Sequence, residues 1–437
     1  MNQGTKKIVH LVPGSGGTFY CQNCVRDGVL IRALRSLGHD VVLVPLYLPL
    51  FDNAPADADR EAPVFYGAVN IYLSQKLPLA RRLPKAIRRW LDSPPLLRAA
   101  AAMAGSTRSE GLADLTVSML EGTAGRQARE LDQLTTWLSR EGVPDIIHFS
   151  NALLLGMAPR IRERLGTRLV CSLQDEDVWL DPMPPEPRER ALELLRDRVR
   201  TVDAFVAPSQ YYADVASDLL GLPPERVHSI TPGIDQDGYE SGPEPQPPVL
   251  GFLSRLSEAS GLHLLIEAFL SLRSDPALRG LRLHLSGGST ADDRAFLKAQ
   301  FRRLRTAKAE SSVQVFDKLD QAARVSFLRG LTVLSTPCPA GEAFGLQIAE
   351  AMACGVPCVQ PAVGAYPELI DTGRTGIVCA SASARELAAA LRRVLTDADL
   401  RQSLRANASA EARLRFSPAR YAEAVDQLYS DVIAQDP

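Results

Sequence analysis

Short runs of β-branched and apolar residues alternate along this chain with longer segments of helical periodicity, and this alternation restricts the fold more than any other feature. In the first half the strand candidates are KIVHLV, DVVLVPL, DIIHFS, RLVCSL, AFVAPS and RVHSI. Helical patterns such as CVRDGVLIRALRSLG and RERALELLRDRVRTV separate most of them. Apolar strands joined by helices are typical of a parallel sheet covered on both faces. The sequence therefore predicts an α/β fold.

A second series of strands follows a proline-rich stretch, SGPEPQPP, which is typical of an exposed linker. Its candidates are VLGFLS, LRLHLSGG, VQVFDK, TVLSTP and PCVQPA, and the chain then continues mostly as helix. Because 437 residues are too many for one ordinary core, we expect two Rossmann-like domains, at 1–240 and 241–415. Their ligands would bind beyond the carboxyl ends of the strands, in a deep cleft if the two ends face each other.

Two segments lie outside this alternation. The segment at about 52–141 is rich in Pro, Ala and Arg, and we interpret it as an irregular helical insertion in the first domain. Residues 416–437 have a helical pattern, and we expect this C-terminal helix to pack back on the N-terminal domain.

Charge and cysteine content narrow the class of partner and the compartment. The chain has 49 basic and 51 acidic residues, which argues against a general nucleic-acid binder and favours a small-molecule ligand. Seven cysteines scattered among apolar runs indicate reduced core residues of a cytoplasmic protein. The N-terminal apolar run is too short for a signal peptide, and no segment is long enough to span a membrane. Any membrane association would therefore be peripheral, at the inner face.

The stretch GEAFGLQIAEAMACGVP places two acids beside an apolar helix. Glu350 lies inside the helix and Glu342 just before it, while the amides near Phe344 and Leu346 would form the helix N-terminus, which favours a phosphate. A buried carboxylate needs a partner. A polyhydroxylated nucleotide ligand would satisfy both acids; the alternative is that Glu350 pairs with a buried arginine and that Glu342 is solvated.

Two other loops follow predicted strands. PGSGGTF contains Gly16 and Gly17, whose backbone could approach a sugar or an anion closely, although a simple tight turn explains the pattern equally well. FLSRLSEASG contains Arg255, whose guanidinium suits a diphosphate; the alternative is an ordinary solvated arginine.

The sequence EAFGLQIAEAMACGVPCV resembles the pattern E(P/A)FGLxxxEAMAxGxPVV of the retaining nucleotide-sugar glycosyltransferases of family 4, and VGAYPELIDTGRTGIVC continues the match in register. RALRSLGHDVVLV, LHLLIEAFLSL and VDAFVAPSQYYADVASDLLGLPPERVHSITPGID are weaker similarities. This family has the GT-B fold of two facing Rossmann-like domains. The resemblance implies transfer of a sugar from a nucleotide-diphosphate sugar to an acceptor hydroxyl, with retention of configuration and without a protein-bound metal or a cofactor.

The resemblance also implies roles for individual residues. Glu350 would bind the ribose hydroxyls of the donor, and Glu342 would contact its sugar as a catalytic residue. Arg255 would hold the diphosphate and assist catalysis. The other donor-side residues implied are Phe344, Gly345, Leu346, Ser260, Gly16 and Gly17.

Two departures from the family pattern favour another interpretation. Ser260 occupies the position of the usual lysine before the glycine, and Gln174 replaces a common histidine. A catalytically weak or silent sugar-nucleotide-binding protein is therefore the main alternative, and turnover would exclude it. A phosphorylase or epimerase of the same fold agrees less well with the motif.

The acceptor side is less defined. Gln174, Asp175 and Glu176 follow a predicted strand and could orient a sugar, lipid-linked or small-molecule acceptor, or else form a solvated loop or a helix cap. Basic and apolar residues interleave at 75–91, which could dock on an anionic membrane, but two prolines favour an insertion packed on the first domain. The motif YCQNC lacks a second cysteine pair, so packed thiols are favoured over a zinc site.

Overall fold

The computed structural model of the protein describes residues 4–13, 20–46, 109–317 and 319–435. The chain divides into two compact units. The first unit comprises Met1–Gly17, Asn23–Ile230 and Tyr421–Pro437, and the second comprises Thr18–Gln22 and Thr231–Arg420.

A six-stranded parallel sheet forms the centre of the first unit. Its strands are β1 (Lys7–Val12), β2 (Asp40–Pro45), β3 (Ile146–Phe149), β4 (Arg168–Ser172), β5 (Ala204–Ala207) and β6 (Val227–Ser229), in the spatial order β2-β1-β3-β4-β5-β6. The helices described in this part of the chain are α1 (Gln22–Ser36), α2 (Ser109–Leu120), α3 (Ala128–Arg140), α4 (Ala158–Leu165), α5 (Glu176–Leu180), α6 (Pro185–Arg198) and α7 (Gln210–Leu220).

The C-terminal helix covers part of this sheet. Ile8 of β1, Leu30 of α1 and Val170 of β4 belong to one buried cluster, which also contains Val425 and Tyr429. These last two residues lie on the final helix, Pro418–Ala434, numbered α15 below. The cluster is buried because apolar strands of a parallel sheet need helices on their faces.

The second unit repeats the architecture. Its strands are β7 (Val249–Leu253), β8 (Arg282–Ser286), β9 (Val313–Val315), β10 (Val333–Leu334), β11 (Cys358–Pro361) and β12 (Gly376–Cys379), all parallel, in the order β12-β11-β10-β7-β8-β9. Its helices are α8 (Leu262–Arg273), α9 (Arg294–Thr306), α10 (Gln321–Arg329), α11 (Leu346–Ala353), α12 (Tyr366–Leu369), α13 (Ala384–Thr396) and α14 (Ala398–Arg415).

The strand order of the second sheet reverses between β7 and β10. The chain runs outward from β7 through β8 to β9, and then returns to β10 on the other side of β7. Such a switch point leaves a crevice beyond the carboxyl ends of the two strands, where ligands of open α/β sheets bind. The loops at 254–261 and 335–345 leave β7 and β10 at this point.

The predicted α/β fold with two Rossmann-like sheets is confirmed, and all eleven predicted strands are present. β12 is not among the predicted strands, because mostly helix is predicted after β11. Within the segment expected as a helical insertion, α2 and α3 are helical. The rest of that segment up to residue 108, the basic stretch at 75–91, and Gly16 and Gly17 lie outside the described residues. No helix in the described ranges is long and apolar enough to cross a membrane.

Candidate functional site

The loops after β7 and β10 lie against each other at the switch point of the second sheet. A Cβ built on Gly261 would lie 2.2 Å from the backbone oxygen of Pro337, and Gly261 has a φ of +76°. Any larger residue at this position would therefore clash and be strained. Arg255 and Ser260 belong to the first of these two loops, and Glu342 belongs to the second.

The second loop leads directly into α11, which begins at Leu346. Gly345 precedes the helix with a φ of +104°, a conformation that favours glycine. Phe344 is buried and contacts Phe416 edge-on, with ring centroids 6.0 Å apart. The Leu346 amide donates to Gln22 Oε1 at 2.9 Å, so an oxygen acceptor is bound at the helix N-terminus that the sequence assigned to a phosphate.

Glu350 is 1% exposed and bonds to three side chains. Arg324 pairs with its Oε1 at 2.9 Å, and the Tyr239 hydroxyl donates to the same oxygen at 2.6 Å. The Tyr20 hydroxyl donates to Oε2 at 2.8 Å. The structure thus shows the buried-arginine alternative for Glu350, with two tyrosines added.

At this cluster, attraction between opposite charges has a larger effect on the pKa of Arg324 than burial has. Burial opposes the charged form of Arg324, but the adjacent Glu350 carboxylate raises the pKa of the guanidinium above its ordinary value. Burial, and then the same carboxylate, raise the pKa values of both Tyr20 and Tyr239. Both tyrosines therefore remain hydroxyl donors to an ion pair.

Glu342 is partly buried, which contradicts the alternative in which it was solvated. Gln347 Nε2 donates to its Oε2 at 2.7 Å, and Gln22 Nε2 donates to the same oxygen at 3.3 Å. Burial raises the pKa of Glu342 although these bonds favour the carboxylate.

Arg255 lies at the switch point but is held by its own unit. Its Nε pairs with Asp293 at 2.9 Å and its Nη2 donates to Thr290 at 2.7 Å. Arg255 is therefore not the ordinary solvated arginine of the alternative interpretation, and a diphosphate would have to share the guanidinium with Asp293. Ser260, in the position of the family lysine, exchanges a hydrogen bond with Ser257 at 2.9 Å and brings no charge.

The three acceptor-side candidates lie in the first unit, after β4. Glu176 is fully buried and accepts from the amides of Ala152 and Gln174 at 2.9 and 2.8 Å, and from the Tyr212 hydroxyl at 2.7 Å. Burial raises its pKa against these bonds. The carboxylate of Glu176 thus links three chain segments, and contact of Glu176 with an acceptor stays a prediction.

Gln174 and Asp175 have different environments. Gln174 is buried and accepts from Arg26 Nη1 at 2.7 Å, while Arg26 also pairs with Asp27 at 2.9 Å. Asp175 is partly buried and has a φ of +59°, an uncommon conformation for a residue other than glycine. Of the three candidates, Asp175 is partly exposed, whereas Gln174 and Glu176 are buried.

Cys21 and Cys24 are disulfide-bonded, which corrects the expectation of seven reduced cysteines. The other five cysteines lie within the described ranges and form no disulfide: Cys171, Cys338, Cys354, Cys358 and Cys379. In the part of the chain that the structure describes, no group of three His, Cys, Asp or Glu side chains could hold a metal ion together.

Several residues of these sites were missed by sequence reasoning: Tyr20, Gln22, Arg26, Tyr239, Asp293 and Arg324. Arg324 gave one usable signal, because it lies within the apolar run ARVSFL of α10, where a buried charge needs a partner. Tyr20 and Gln22 lie within the YCQNC motif, which was considered only for its thiols.

Two family models match adjacent parts of the chain. Glycosyltransferase Family 4 matches residues 117–237, and Glycosyl transferases group 1 matches residues 235–411. Two similar curated proteins are D-inositol 3-phosphate glycosyltransferases. The protein of Actinosynnema mirum is 27% identical, and the match covers 63% of this chain and 65% of that protein. The protein of Acidothermus cellulolyticus is also 27% identical, and the match covers 84% of this chain and 86% of that protein. The match to the first thus spans just under two thirds of that relative.

Solved structures share the fold at low sequence identity. HepE of Anabaena, crystallised with UDP and glucose, is 19% identical with a TM-score of 0.69, over 97% of this chain and 99% of that one. Sucrose-phosphate synthase from Thermosynechococcus elongatus is 16% identical with a TM-score of 0.71, over 98% and 100%. HepE has also been crystallised with UDP-glucose, again at 19% identity, with a TM-score of 0.67 over 98% and 100%.

Proposed function

We propose that this chain, a family 4 glycosyltransferase of GT-B fold, transfers a sugar from a UDP-sugar to an acceptor hydroxyl with retention of configuration. The observation that carries the proposal is the juxtaposition, in one unit, of Glu342, Glu350 and the α11 N-terminus at the ends of β7 and β10. UDP is proposed as the nucleotide because the HepE structures contain UDP or UDP-glucose.

Each part of the site would bind one part of the donor. Glu350 would accept hydrogen bonds from the ribose hydroxyls, and Glu342 from the transferred sugar. The amides of Gly345 and Leu346 would bind the diphosphate, because a helix N-terminus carries partial positive charge. Arg255 would add a cation shared with Asp293.

The leaving diphosphate gains negative charge as its bond to the sugar breaks. Helix amides and a guanidinium that are already oriented stabilise this charge without solvent reorganisation. We therefore include in the proposal that the reaction needs no protein-bound metal. The acceptor would be a sugar, lipid-linked or small-molecule hydroxyl that attacks from the face that the diphosphate leaves.

Binding and turnover test this proposal separately. UDP, GDP and ADP are titrated calorimetrically against the full chain, and UDP is expected to bind most tightly. UDP-glucose and UDP-N-acetylglucosamine are then offered with acceptors that include inositol 3-phosphate, and NMR of the product reports its anomeric configuration. Activity should persist in EDTA. Preference for another nucleotide, an inverted product or loss of activity in EDTA would each contradict one part of the proposal.

A specific observation supports the silent-binder alternative. The loop that would carry the family lysine offers Ser257 and Ser260 instead, and Arg255 is already paired with Asp293. Both features reduce the positive charge available to a leaving diphosphate. Tight UDP binding without hydrolysis or transfer of any donor sugar would favour this second candidate.

A further inference from the structure

Residues Tyr20–Gln22, called the strap here, contact the donor-site residues of the second unit. The Tyr20 amide donates to the Gly287 carbonyl at 2.8 Å, and its hydroxyl donates to Glu350. The guanidinium carbon of Arg324 lies 5.5 Å from the centroid of the Tyr20 ring, a cation–π distance. Tyr20 is therefore fixed at its backbone, its ring and its hydroxyl.

Gln22 adds two contacts with its carboxamide. Its carbonyl oxygen accepts from the Leu346 amide at 2.9 Å, and its amide nitrogen donates to Glu342 at 3.3 Å. One side chain thus bridges the helix N-terminus and the acid in the loop before it.

The groups of the strap match those of a nucleotide sugar one by one. A hydroxyl bonds to Glu350, as a ribose hydroxyl would, and a carbonyl oxygen lies at the helix N-terminus, as a phosphate oxygen would. An N–H donor bonds to Glu342, as a sugar hydroxyl would. We propose that the strap is an autoinhibitory segment that occupies the donor site, so that a donor binds only when Tyr20 and Gln22 leave. This inference rests on the proposed function.

The Cys21–Cys24 disulfide gives the strap a control element. It closes a short covalent ring that includes Gln22 and limits the backbone conformations next to the carboxamide. Reduction by a dithiol breaks the S–S bond and adds two electrons and two protons, giving two thiols, while the dithiol becomes a cyclic disulfide. The freed backbone gains conformational entropy when the strap leaves, so reduction weakens the inhibition.

Calorimetric titration of the full chain with UDP, oxidised or treated with dithiothreitol, tests the inference. Thiol counts establish the redox state of each sample. The reduced protein should bind UDP roughly five- to tenfold more tightly, a factor in the range of the conformational entropy of one backbone residue. A Cys21→Ser/Cys24→Ser variant should bind like the reduced protein with or without dithiothreitol. Cys379→Ser, which removes a thiol of β12 that is in no disulfide, is the matched control and should keep the redox response.

Strap variants separate inhibition from donor binding. Tyr20→Phe and Gln22→Ala should each tighten UDP binding in the oxidised protein. Weaker binding in these variants would overturn the inference, because the side chains would then contact the donor. Equal UDP affinity of the oxidised and reduced parent would overturn it too, even if the double cysteine variant failed to fold. If UDP bound neither the oxidised protein, nor the reduced protein, nor any of these variants, the proposed donor would be wrong, and the strap inference would fail with it.

Discussion

Glu350 shows what a sequence can and cannot predict about a buried acid. Its place in an apolar helix predicts a partner, because an uncompensated carboxylate is costly to bury. The identity of that partner could not be predicted. Arg324 is 26 positions away and Tyr20 is 330 positions away, so that only the folded chain brings them together.

The two glutamates should differ when each is replaced by glutamine. Glu350→Gln weakens bonds to ribose hydroxyls that exist in both ground and transition states, so we expect a higher donor KM with a smaller change in kcat. Glu342→Gln acts near the transferred sugar and should chiefly lower kcat. Steady-state kinetics measures both effects. UDP affinity provides the control: it should fall by roughly 1.5 to 3 kcal/mol in the Glu350 variant and hold steady in the Glu342 variant.

In the buried Arg324–Glu350 ion pair, each charge should offset the cost of burying the other. Arg324→Met leaves a buried carboxylate without its cation and should lower the free energy of unfolding by about 3 to 5 kcal/mol. Arg324→Met/Glu350→Met removes both charges and should recover part of that loss. Urea unfolding measures the series. Arg303→Met, in an exposed ion pair with Glu267, is the control and should change stability little. A double variant no more stable than the single would argue against compensation.

At the scale of the element, strand prediction succeeded where apolar runs were bounded by polar turns. The eleven predicted strands correspond to β1 through β11. The strand that was not predicted, β12, is only four residues long, Gly376–Cys379, and follows the polar turn DTGRT. β12 forms because it pairs in parallel with β11. Such pairing depends on the tertiary structure and cannot be read from the local sequence pattern.

An ion pair helps to fix α15 on the first unit. Lys6 Nζ lies 2.5 Å from Asp426 of that helix, and both side chains are mostly buried. Asp426→Asn should therefore lower the free energy of unfolding by about 2 kcal/mol, because it removes a hydrogen bond between charged groups. Asp431→Asn changes an exposed acid of the same helix and should have little effect. Chemical denaturation compares the two; equal losses would show that Asp426 acts only as a surface charge.

At the scale of the whole molecule, the two units bury their polar groups differently. The second keeps its ion pair and hydrogen-bonded acids around the candidate donor site. The first also buries an ion pair, Arg26–Asp27, and in addition places two imidazoles in contact in its core. His10 and His148 are paired across β1 and β3, with ring centroids 4.6 Å apart and ring planes tilted by 50°. His148 also bonds to Ser172 and to Tyr429 of α15.

This burial makes stability depend on pH. Burial, and then the adjacent His10, hold the pKa of His148 well below its ordinary value of 6.5. The unfolded chain therefore gains a proton as the pH falls below about 6.5 while the folded chain does not, and stability falls by up to about 1.4 kcal/mol per pH unit. Urea unfolding between pH 7.5 and 5 measures the slope. The dependence of unfolding free energy on pH should become shallower in His148→Gln. It should change less in His228→Gln, whose imidazole is half-buried. Equal slopes in His148→Gln and in the parent would contradict the assignment of this pH dependence to His148.

Tyr20–Gln22 belong to the second unit although they precede almost the whole of the first. A chimera that exchanges the second unit with that of a relative at a single crossover near residue 231 would not include Tyr20–Gln22 in the exchange. A chimera built that way would pair one parent's Glu342 and Glu350 with the other parent's residues at 20 and 22. Crossover designs for altered donor preference should therefore transplant two pieces of sequence, the short one near the N-terminus together with the long one.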